Sequence, residues 1–287
     1  ETLLEKPPSV EEEKYRVIAD GRVYTYMGED VHHAAGLDCT DCHIASGLMG
    51  DGHSYPHKED QVKVSCEDCH LMQTPEAIAT EDLDPESLKI ARLRGEDAKG
   101  RRFLPGREPG TVYLNTKEQN GEWVLSGKKS GKIHPLLPPA DICTRGTAHN
   151  NLHCSACHTA WAPSCIGCHN EYEAGTRGYD LLTNRERMGT WVEFTGLHNA
   201  YPPALGVKET GMSSEKIILP ATPGMIISID KKGFPGNSGE TVFRRLFAPV
   251  EAHTTSPEGR SCKSCHNNPV ALGYGEGTLE YHTEGNA

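Results

Sequence analysis

The chain is short of strongly apolar residues. Leu, Ile, Val and Phe make up 52 of its 287 residues, about 18%, which is below the roughly 20% at which charged chains begin to be disordered. With 30 Gly and 19 Pro, turns and loops are favoured over long regular elements. An ordinary side-chain core would not offset the entropy cost of ordering such a sequence. Either much of the chain is disordered, or a group that is not an amino acid fills its interior.

Two further absences exclude classes of function. No run of about 20 apolar residues is present, and the longest candidate, residues 216–230, is interrupted by Pro220 and Pro223, so we predict no membrane-spanning helix. The 29 basic and 40 acidic residues give a net charge of −11 without a basic tract, which counts against nucleic acid as a partner. Because residue 1 is Glu and no charged-then-apolar leader follows, we interpret the chain as a mature exported protein whose signal has been removed.

Cysteine, in contrast, is abundant and regularly placed. Ten of the 11 cysteines form five Cys-x-x-Cys pairs, and a histidine follows each pair directly. Such motifs attach c-type haem, because positions i, i+3 and i+4 share one face of a helical turn. Two thiols there can bond the two vinyl groups of one porphyrin, and the imidazole can bind the iron as proximal ligand. In order, the motifs are motif 1 (Cys39, Cys42, His43), motif 2 (Cys66, Cys69, His70), motif 3 (Cys154, Cys157, His158), motif 4 (Cys165, Cys168, His169) and motif 5 (Cys262, Cys265, His266).

Other uses of paired cysteines explain this pattern less well. Zinc coordination does not require a histidine after every pair, and a disulfide between positions i and i+3 would be short and strained. On these five motifs the sequence resembles the multihaem c-type cytochromes, specifically a pentahaem member similar to the extracellular filament-forming cytochromes. The resemblance implies five covalently attached haem c groups, electron transport, and a place outside the cell or on its surface, or otherwise in the periplasm.

The resemblance also implies a second histidine on each iron. Of 15 histidines, five are proximal, so ten remain for five distal positions. His57 and His253 each lie nine residues before the next motif, and both segments have a Ser directly before the Cys. We expect such upstream histidines to bind a neighbouring haem, because their tether places them on the proximal side of their own. The predicted distal ligands are His33, His57, His149, His153 and His253, with His198 and His32 in reserve. His53, His134 and His282 are interpreted as surface or propionate-contacting residues.

The spacing of the motifs predicts five segments. They are an N-terminal dihaem module (1–75), a haem-free insert with a β-hairpin (76–133), a central dihaem module (134–178), a haem-free β-containing segment (179–250) and a C-terminal monohaem module (251–287). Local patterns predict a hairpin around Asp20-Gly21 and a second one around Asn120-Gly121, with strands at 111–116 and 123–126. They also predict a helix over 84–94 and strands at 216–219 and 225–229. The predicted fold is haem-dominated and mostly irregular, with short helices, a few β-hairpins, and a closely spaced chain of haems in place of most of the protein core. Ordering should then follow haem attachment.

The primary functional hypothesis is electron transfer, because two histidines on each iron leave no open position for a substrate. Partners would be redox proteins, extracellular electron acceptors, or further copies in a homopolymer that shares a haem ligand, for which His282 or an N-terminal histidine is suitably placed. The alternative is a reductase of a nitrogen or sulfur oxyanion with one open haem, and Arg145 and His149 near Cys143 are its best candidate cluster. Cys143, the unpaired cysteine, is either a buried small residue or a haem thiolate or redox thiol.

Overall fold

The computed structural model describes residues 15–17, 19, 21, 23–55, 61–73, 75–144, 147–165, 167–195, 198–210, 215–236 and 239–274. The chain divides into two compact units. The middle unit is Val31–Asn150, and the flanking unit combines Glu1–Asp30 with Asn151–Ala287. Within the described ranges, no helix has the length and apolar character needed to cross a membrane. The finer division into five segments remains a prediction.

A short antiparallel hairpin begins the described part of the flanking unit. Strand β1 (Tyr15–Val17) pairs with β2 (Val23–Thr25), with Tyr15 opposite Thr25. Gly21 between them has a positive φ of 86°, which glycine adopts without steric cost. The hairpin predicted here is confirmed.

The middle unit combines short helices with two three-stranded sheets. One sheet has the order β3-β4-β5 and the other the order β6-β7-β8. The helices are α1 (Val31–Ala35), α2 (Cys39–Cys42), α3 (Ala45–Met49), α4 (Cys66–Cys69), α5 (Pro85–Leu93) and α6 (Asp141–Thr144). The strands are β3 (Ile78–Ala79), β4 (Arg102–Pro105), β5 (Val112–Tyr113), β6 (Thr116–Gln119), β7 (Glu122–Ser126) and β8 (Ile133–Pro135).

Local sequence signals explain two of these elements. The carboxylate of Asp84 accepts hydrogen bonds from the backbone N–H groups of Glu86 and Ser87, both at 3.0 Å, and caps α5, which confirms the predicted helix. Asn120 and Gly121 both have positive φ, 55° and 83°, as a tight hairpin turn requires. The predicted turn is therefore confirmed, but its first strand is β6 and not residues 111–116, because β5 pairs with β4 instead.

The middle unit has a side-chain core of its own. Phe103 lies at its centre and is fully buried, packed with Leu83, Ala91 and Leu114. Partly buried side chains surround this cluster: Ile78, Leu88, Ile90 and Val112. All of them come from the segment that carries no haem motif. The insert predicted at 76–133 thus has a packed interior formed by side chains of its own segment.

Truncating Phe103 tests that core. Phe103→Ala should lower the free energy of unfolding of the middle unit by about 3–5 kcal/mol, because it removes a fully buried ring and leaves a cavity. The matched control is Leu93→Ala on α5, since Leu93 is 80% exposed and its loss should change stability by less than about 0.5 kcal/mol. Hydrogen exchange of peptides within 83–125, followed across a urea series, measures both. Equal effects of the two variants would contradict this account.

The flanking unit is built around a larger sheet. Its central path runs β11-β10-β14-β13, and β15 also pairs with β14. A separate pair joins β12 to β9. The helices are α7 (Cys154–His158) and α8 (Cys262–His266). The strands are β9 (Ala162–Cys165), β10 (Gly167–Asp180), β11 (Arg185–Thr195), β12 (His198–Tyr201), β13 (Ala204–Thr210), β14 (Glu215–Asp230) and β15 (Thr241–Pro249).

Strand β14 is longer than the sequence indicated. The two strands predicted at 216–219 and 225–229 belong to this one element. A shift in the register with β15 between Thr222 and Met225 accommodates Pro223, as prolines in sheets generally require. The sheet gives this unit more regular strand structure than the short hairpins that we expected from the sequence.

Small residues dominate the buried apolar positions of the flanking unit. Apart from Pro203 and Pro220, the buried apolar residues among its described side chains are Val23, Ala156, Ala162, Ala204, Leu219, Ala221 and Ala271. Five of these seven are alanine, whose burial removes little surface from water. In the described part of this unit, side chains therefore supply much less core than in the middle unit.

Candidate haem-binding sites

Four of the five motifs fold as short helical turns. Motifs 1, 2, 3 and 5 coincide with α2, α4, α7 and α8. Hydroxyl or imidazole groups support two of the helix starts: Ser261 Oγ accepts from the N–H of Ser264 at 3.3 Å, and the His153 ring caps α7. In one helical turn, both cysteines and the following histidine lie on one side. The arrangement fits two thioether bonds and one proximal imidazole.

Motif 4 has a different backbone, and the helical turn expected there is wrong for this structure. Cys165 ends β9, while Cys168 and His169 belong to β10. Pairing on both sides explains the extended form, because Cys168 lies opposite Ile227 of β14 and Thr195 of β11. A strand advances about 3.3 Å per residue, so positions three apart are about 10 Å apart, compared with about 5–6 Å in a helix. The extended backbone fits a single porphyrin less well.

Three of the proximal histidines have one ring nitrogen bonded to the protein. His70 Nδ1 lies 3.1 Å from the carbonyl oxygen of Leu137, and His158 Nδ1 lies 2.9 Å from that of Ser256. His169 Nδ1 lies 2.7 Å from Ser228 Oγ. A carbonyl only accepts, so Nδ1 of His70 and His158 carries the proton and Nε2 keeps its lone pair. Histidines that bind metals are generally oriented in this way. At motif 4, Nε2 of His169 also lies 3.6 Å from Glu171 Oε2.

Motif 1 is attached to the haem-free insert by a buried carboxylate. Asp41 lies between the two cysteines of motif 1 and is only 5% exposed. Its Oδ2 accepts from the backbone N–H of Asp38, and its Oδ1 from the backbone N–H of Lys128, both at 2.8 Å. Lys128 also donates from Nζ to the carbonyl of Thr40. One side chain therefore fixes the start of α2 and ties it to the loop after β7.

Motif 2 repeats this arrangement with different partners. Asp68 is 3% exposed, and its Oδ2 accepts from the N–H of Ser65 at 2.6 Å and from the Ser65 hydroxyl at 2.9 Å. Its Oδ1 accepts from the backbone N–H of Arg107, in the loop after β4, at 2.8 Å. The side chain of Arg107 also pairs with Glu67. In both Cys-x-Asp-Cys motifs the aspartate thus serves as a buried anchor to the insert.

The second cysteines of motifs 1 and 2 are close to each other. Burial, together with the charges of Cys42, Asp68 and Asp41, raises the pKa of Cys69 to about 12. The pKa of Tyr113 is raised too, first by burial and then by the neighbouring Asp68. The Cys69 thiol is therefore neutral at physiological pH. The same charges act on both groups, so α2 and α4 lie near each other in the middle unit.

Motif 3 is joined to the segment that leads into motif 5. The carbonyl of His158 accepts from the N–H of Ser256 at 2.7 Å, and the carbonyl of Cys157 accepts from the N–H of Arg260 at 2.9 Å. The guanidinium of Arg260 donates to the carbonyl of Ser264, inside α8, at 2.7 Å. Motif 5 thus lies beside motif 3, although more than 90 residues separate them in the sequence. Sequence reasoning made motif 4 the neighbour of motif 3 and did not detect this contact.

The predicted distal histidines differ from one another in burial and in the residues that lie near them. His32 is half-buried on α1, and its ring centre lies 6.2 Å from that of His70. His33, on the same helix, and His149, in a turn, are exposed. His253 is exposed and has a left-handed φ of 52°, which is uncommon for a residue with a side chain. His57 and His282 lie outside the described residues.

Two further predicted ligands lie next to motifs in the flanking unit. His153 Nδ1 accepts from the N–H of Ser155 at 3.4 Å and lies 2.6 Å from its hydroxyl, so this ring acts as a helix cap directly before motif 3. The backbone of His198 pairs with that of Cys165, which places this reserve ligand beside the first cysteine of motif 4. Neither position had a signal in the sequence beyond closeness to a motif or a proline.

Three other candidate residues have different outcomes. His134, expected to be a surface or propionate-contacting residue, is half-buried, and its Nε2 is buried without a hydrogen-bond partner within the part of the chain that the structure describes. Such an orphaned imidazole nitrogen is suited to a metal or to a haem propionate. Cys143 on α6 is exposed, which excludes the interpretation of a buried small residue. Arg145, from the candidate catalytic cluster, lies outside the described residues.

Over the described residues, no group of three or more His, Cys, Asp and Glu side chains is arranged to hold a metal ion.

Comparison with known proteins identifies no relative of this chain. No protein-family model matches the chain, and neither a curated protein nor a solved structure matches it.

Proposed function

We propose that this chain is an exported pentahaem c-type cytochrome that carries electrons along a series of haems, each bound by two histidines. One observation carries the proposal. At motifs 2 and 3, which fold as helical turns, the proximal imidazole donates from Nδ1 to a backbone carbonyl, so that Nε2 is free for iron. This is the orientation that metal-binding histidines generally have, and the histidine directly after every Cys-x-x-Cys pair distinguishes haem attachment from a zinc ribbon or a disulfide.

The protein's part in this function is to hold the haems rigidly. Haem supplies a one-electron change of oxidation state without changing shape, and its potential depends on axial ligands, hydrogen bonding and burial. The anchors Asp41 and Asp68 fix the attachment helices of motifs 1 and 2. Backbone bonds from Leu137 and Ser256 fix two proximal rings. Little rearrangement would accompany each transfer.

The motifs that lie next to each other indicate between which haems electrons would pass within each unit. In the middle unit, the helices of motifs 1 and 2 meet at Cys42 and Cys69. In the flanking unit, motif 3 lies beside motif 5 through Ser256 and Arg260, and only six residues separate it from motif 4. Motif 3 is therefore the branch point of its unit. The net charge of −11 favours basic or cation-bridged redox partners and a salt-dependent encounter.

Haem counting tests the proposal directly. We expect the full chain, produced in a host that matures c-type cytochromes, to carry five haems by intact mass and by pyridine haemochrome absorbance. Replacing both cysteines of one motif by alanine should remove one haem each time, including at motif 4, where the backbone is extended. The control is Cys143→Ala, which should keep all five, since Cys143 belongs to no motif. Fewer than five haems on the unmodified chain would contradict the proposal.

Spectroscopy tests whether every iron has two histidine ligands or one haem is open as in a reductase, and microscopy tests for the homopolymer. If every iron has two histidines, the oxidised protein will be entirely low-spin and will not respond to nitrite, sulfite or CO. A high-spin ferric signal that changes with nitrite or sulfite would favour the reductase reading. Negative-stain electron microscopy tests the homopolymer with a shared haem ligand, because a filament would show a regular repeat and a single carrier would show separate small particles.

A further inference from the structure

We infer that His32 is the distal ligand of the haem attached at motif 2, opposite His70. This inference rests on the proposed function, since it assigns a residue to one of the proposed haems. Sequence spacing placed His33 ahead of His32; the inference reverses this order, so that His32, and not His33, is the distal ligand that α1 supplies. The assignment depends instead on where the middle unit holds three rings: His32, His33 and His70.

The His70 ring is fixed by two connections. Its backbone N–H donates to the carbonyl of Cys66 at 2.8 Å, which places the residue at the end of α4. Its Nδ1 bonds the carbonyl of Leu137 at 3.1 Å. Because Nδ1 is used by the protein, Nε2 is the nitrogen left for a metal ion.

The helix that carries His32 is fixed independently. The carbonyl of His32 accepts from the N–H of Leu37 at 2.9 Å, which closes the end of α1. The Nζ of Lys132 donates to the carbonyl of Ala35, and its side chain lies against Gly36. The His32 side chain is half-buried. Its position is therefore set by α1 and the 127–132 turn, and not by contact with His70 alone.

The separation of the two rings is that of two imidazoles sharing one metal ion. With metal–nitrogen bonds of about 2 Å, two ligands on opposite sides of an ion have nitrogens about 4 Å apart and ring centres about 6 Å apart. The ring centres of His32 and His70 are 6.2 Å apart, with the planes inclined at 59°. Rings that stacked directly would lie nearer and more parallel. The observed spacing leaves room for an iron ion between them.

His33 has a different environment, although it is the next residue. Successive side chains on a helix point about 100° apart. His33 is exposed, whereas His32 is half-buried with its ring near that of His70. His33 is therefore the matched control for His32.

The experiment compares His32→Ala with His33→Ala in the full, haem-loaded chain. Each variant is oxidised and examined by electron paramagnetic resonance, and then reduced and titrated with CO. We expect His32→Ala to convert about one fifth of the haem iron to a high-spin form that binds CO, and added imidazole to restore the low-spin signal. His33→Ala should resemble the unmodified protein. In both, the haem count by pyridine haemochrome should stay at five.

A second background identifies which haem is affected. In the Cys66→Ala/Cys69→Ala chain, which lacks the motif 2 haem, His32→Ala should create no new high-spin iron. If it does, His32 binds a different haem and the inference is wrong. The inference also fails if His32→Ala leaves all five haems low-spin, or if His33→Ala gives the high-spin signal instead. Failure of the proposed function would appear differently, as a missing haem in the unmodified chain.

Discussion

Replacing Asp68 by alanine should lower the free energy of unfolding of the middle unit by at least about 3 kcal/mol. Three hydrogen bonds end on this carboxylate, from the N–H and hydroxyl of Ser65 and from the N–H of Arg107. Bonds to a charged acceptor contribute about 1.5–3 kcal/mol each, and a buried donor left unpaired adds its own cost. Asp68 is almost fully buried, so water cannot easily replace the lost carboxylate.

The adjacent residue provides the control for this effect. Glu67 lies in the same motif and pairs with Arg107 through its side chain, but the pair is on the surface. Glu67→Gln should therefore cost less than about 1 kcal/mol. Urea unfolding followed by circular dichroism, with haem content checked by mass, measures both variants. A result in which Glu67→Gln costs as much as Asp68→Ala would show that the buried contacts do not carry the stability.

Replacing Asp41 by alanine at motif 1 tests whether Asp41 and Asp68 stabilise their helices in the same way. Asp41 bonds the N–H of Asp38 and the N–H of Lys128, but has no hydroxyl partner corresponding to that of Ser65. Asp41→Ala should destabilise the unit in the same direction and by a somewhat smaller amount. The matched control there is Thr40→Ala, because Thr40 is exposed.

The part of the fold that could be predicted was the part determined by neighbouring residues. The Asn120-Gly121 turn depends on backbone preferences at two positions, and the α5 start depends on one capping aspartate and one proline. Each Cys-x-x-Cys-His motif can likewise be recognised from five consecutive residues. Such signals need no knowledge of the remaining chain.

What could not be predicted depended on contacts between distant segments. Motif 4 is extended because β11 and β14 pair with it, and neither pairing has a local signal. The anchors Asp41 and Asp68 looked like ordinary spacer residues, since their partners lie 87 and 39 residues away. The choice between His32 and His33 depends on a ring that lies on another helix. The spacing in the sequence ranked the two histidines as candidate ligands, but it could not show which of the two rings lies near His70.

The haem-free chain should lose its structure unevenly, and this is the largest effect that we expect. In the flanking unit, the described buried apolar residues are mostly alanine, so loss of three haems would remove most of the apolar interior that we propose for it. In the middle unit, Phe103, Leu104, Leu114 and Leu125 are buried by neighbouring parts of the protein chain. The insert at 76–133 is about the size at which a single domain becomes marginally stable alone.

Hydrogen exchange on the full chain, made without the maturation machinery and kept reduced, can resolve the two units. Peptides from 83–125 should stay protected, whereas peptides from 151–274 should exchange at close to the rate of an unfolded chain. Phe103→Ala should abolish most of the remaining protection, because its cost of about 3–5 kcal/mol is comparable to all the stability that a single core of this size supplies. Leu93→Ala should leave the protection unchanged. Uniform protection across both units would mean that side chains alone sustain the fold, and the shortage of strongly apolar residues would then no longer indicate a haem-filled interior.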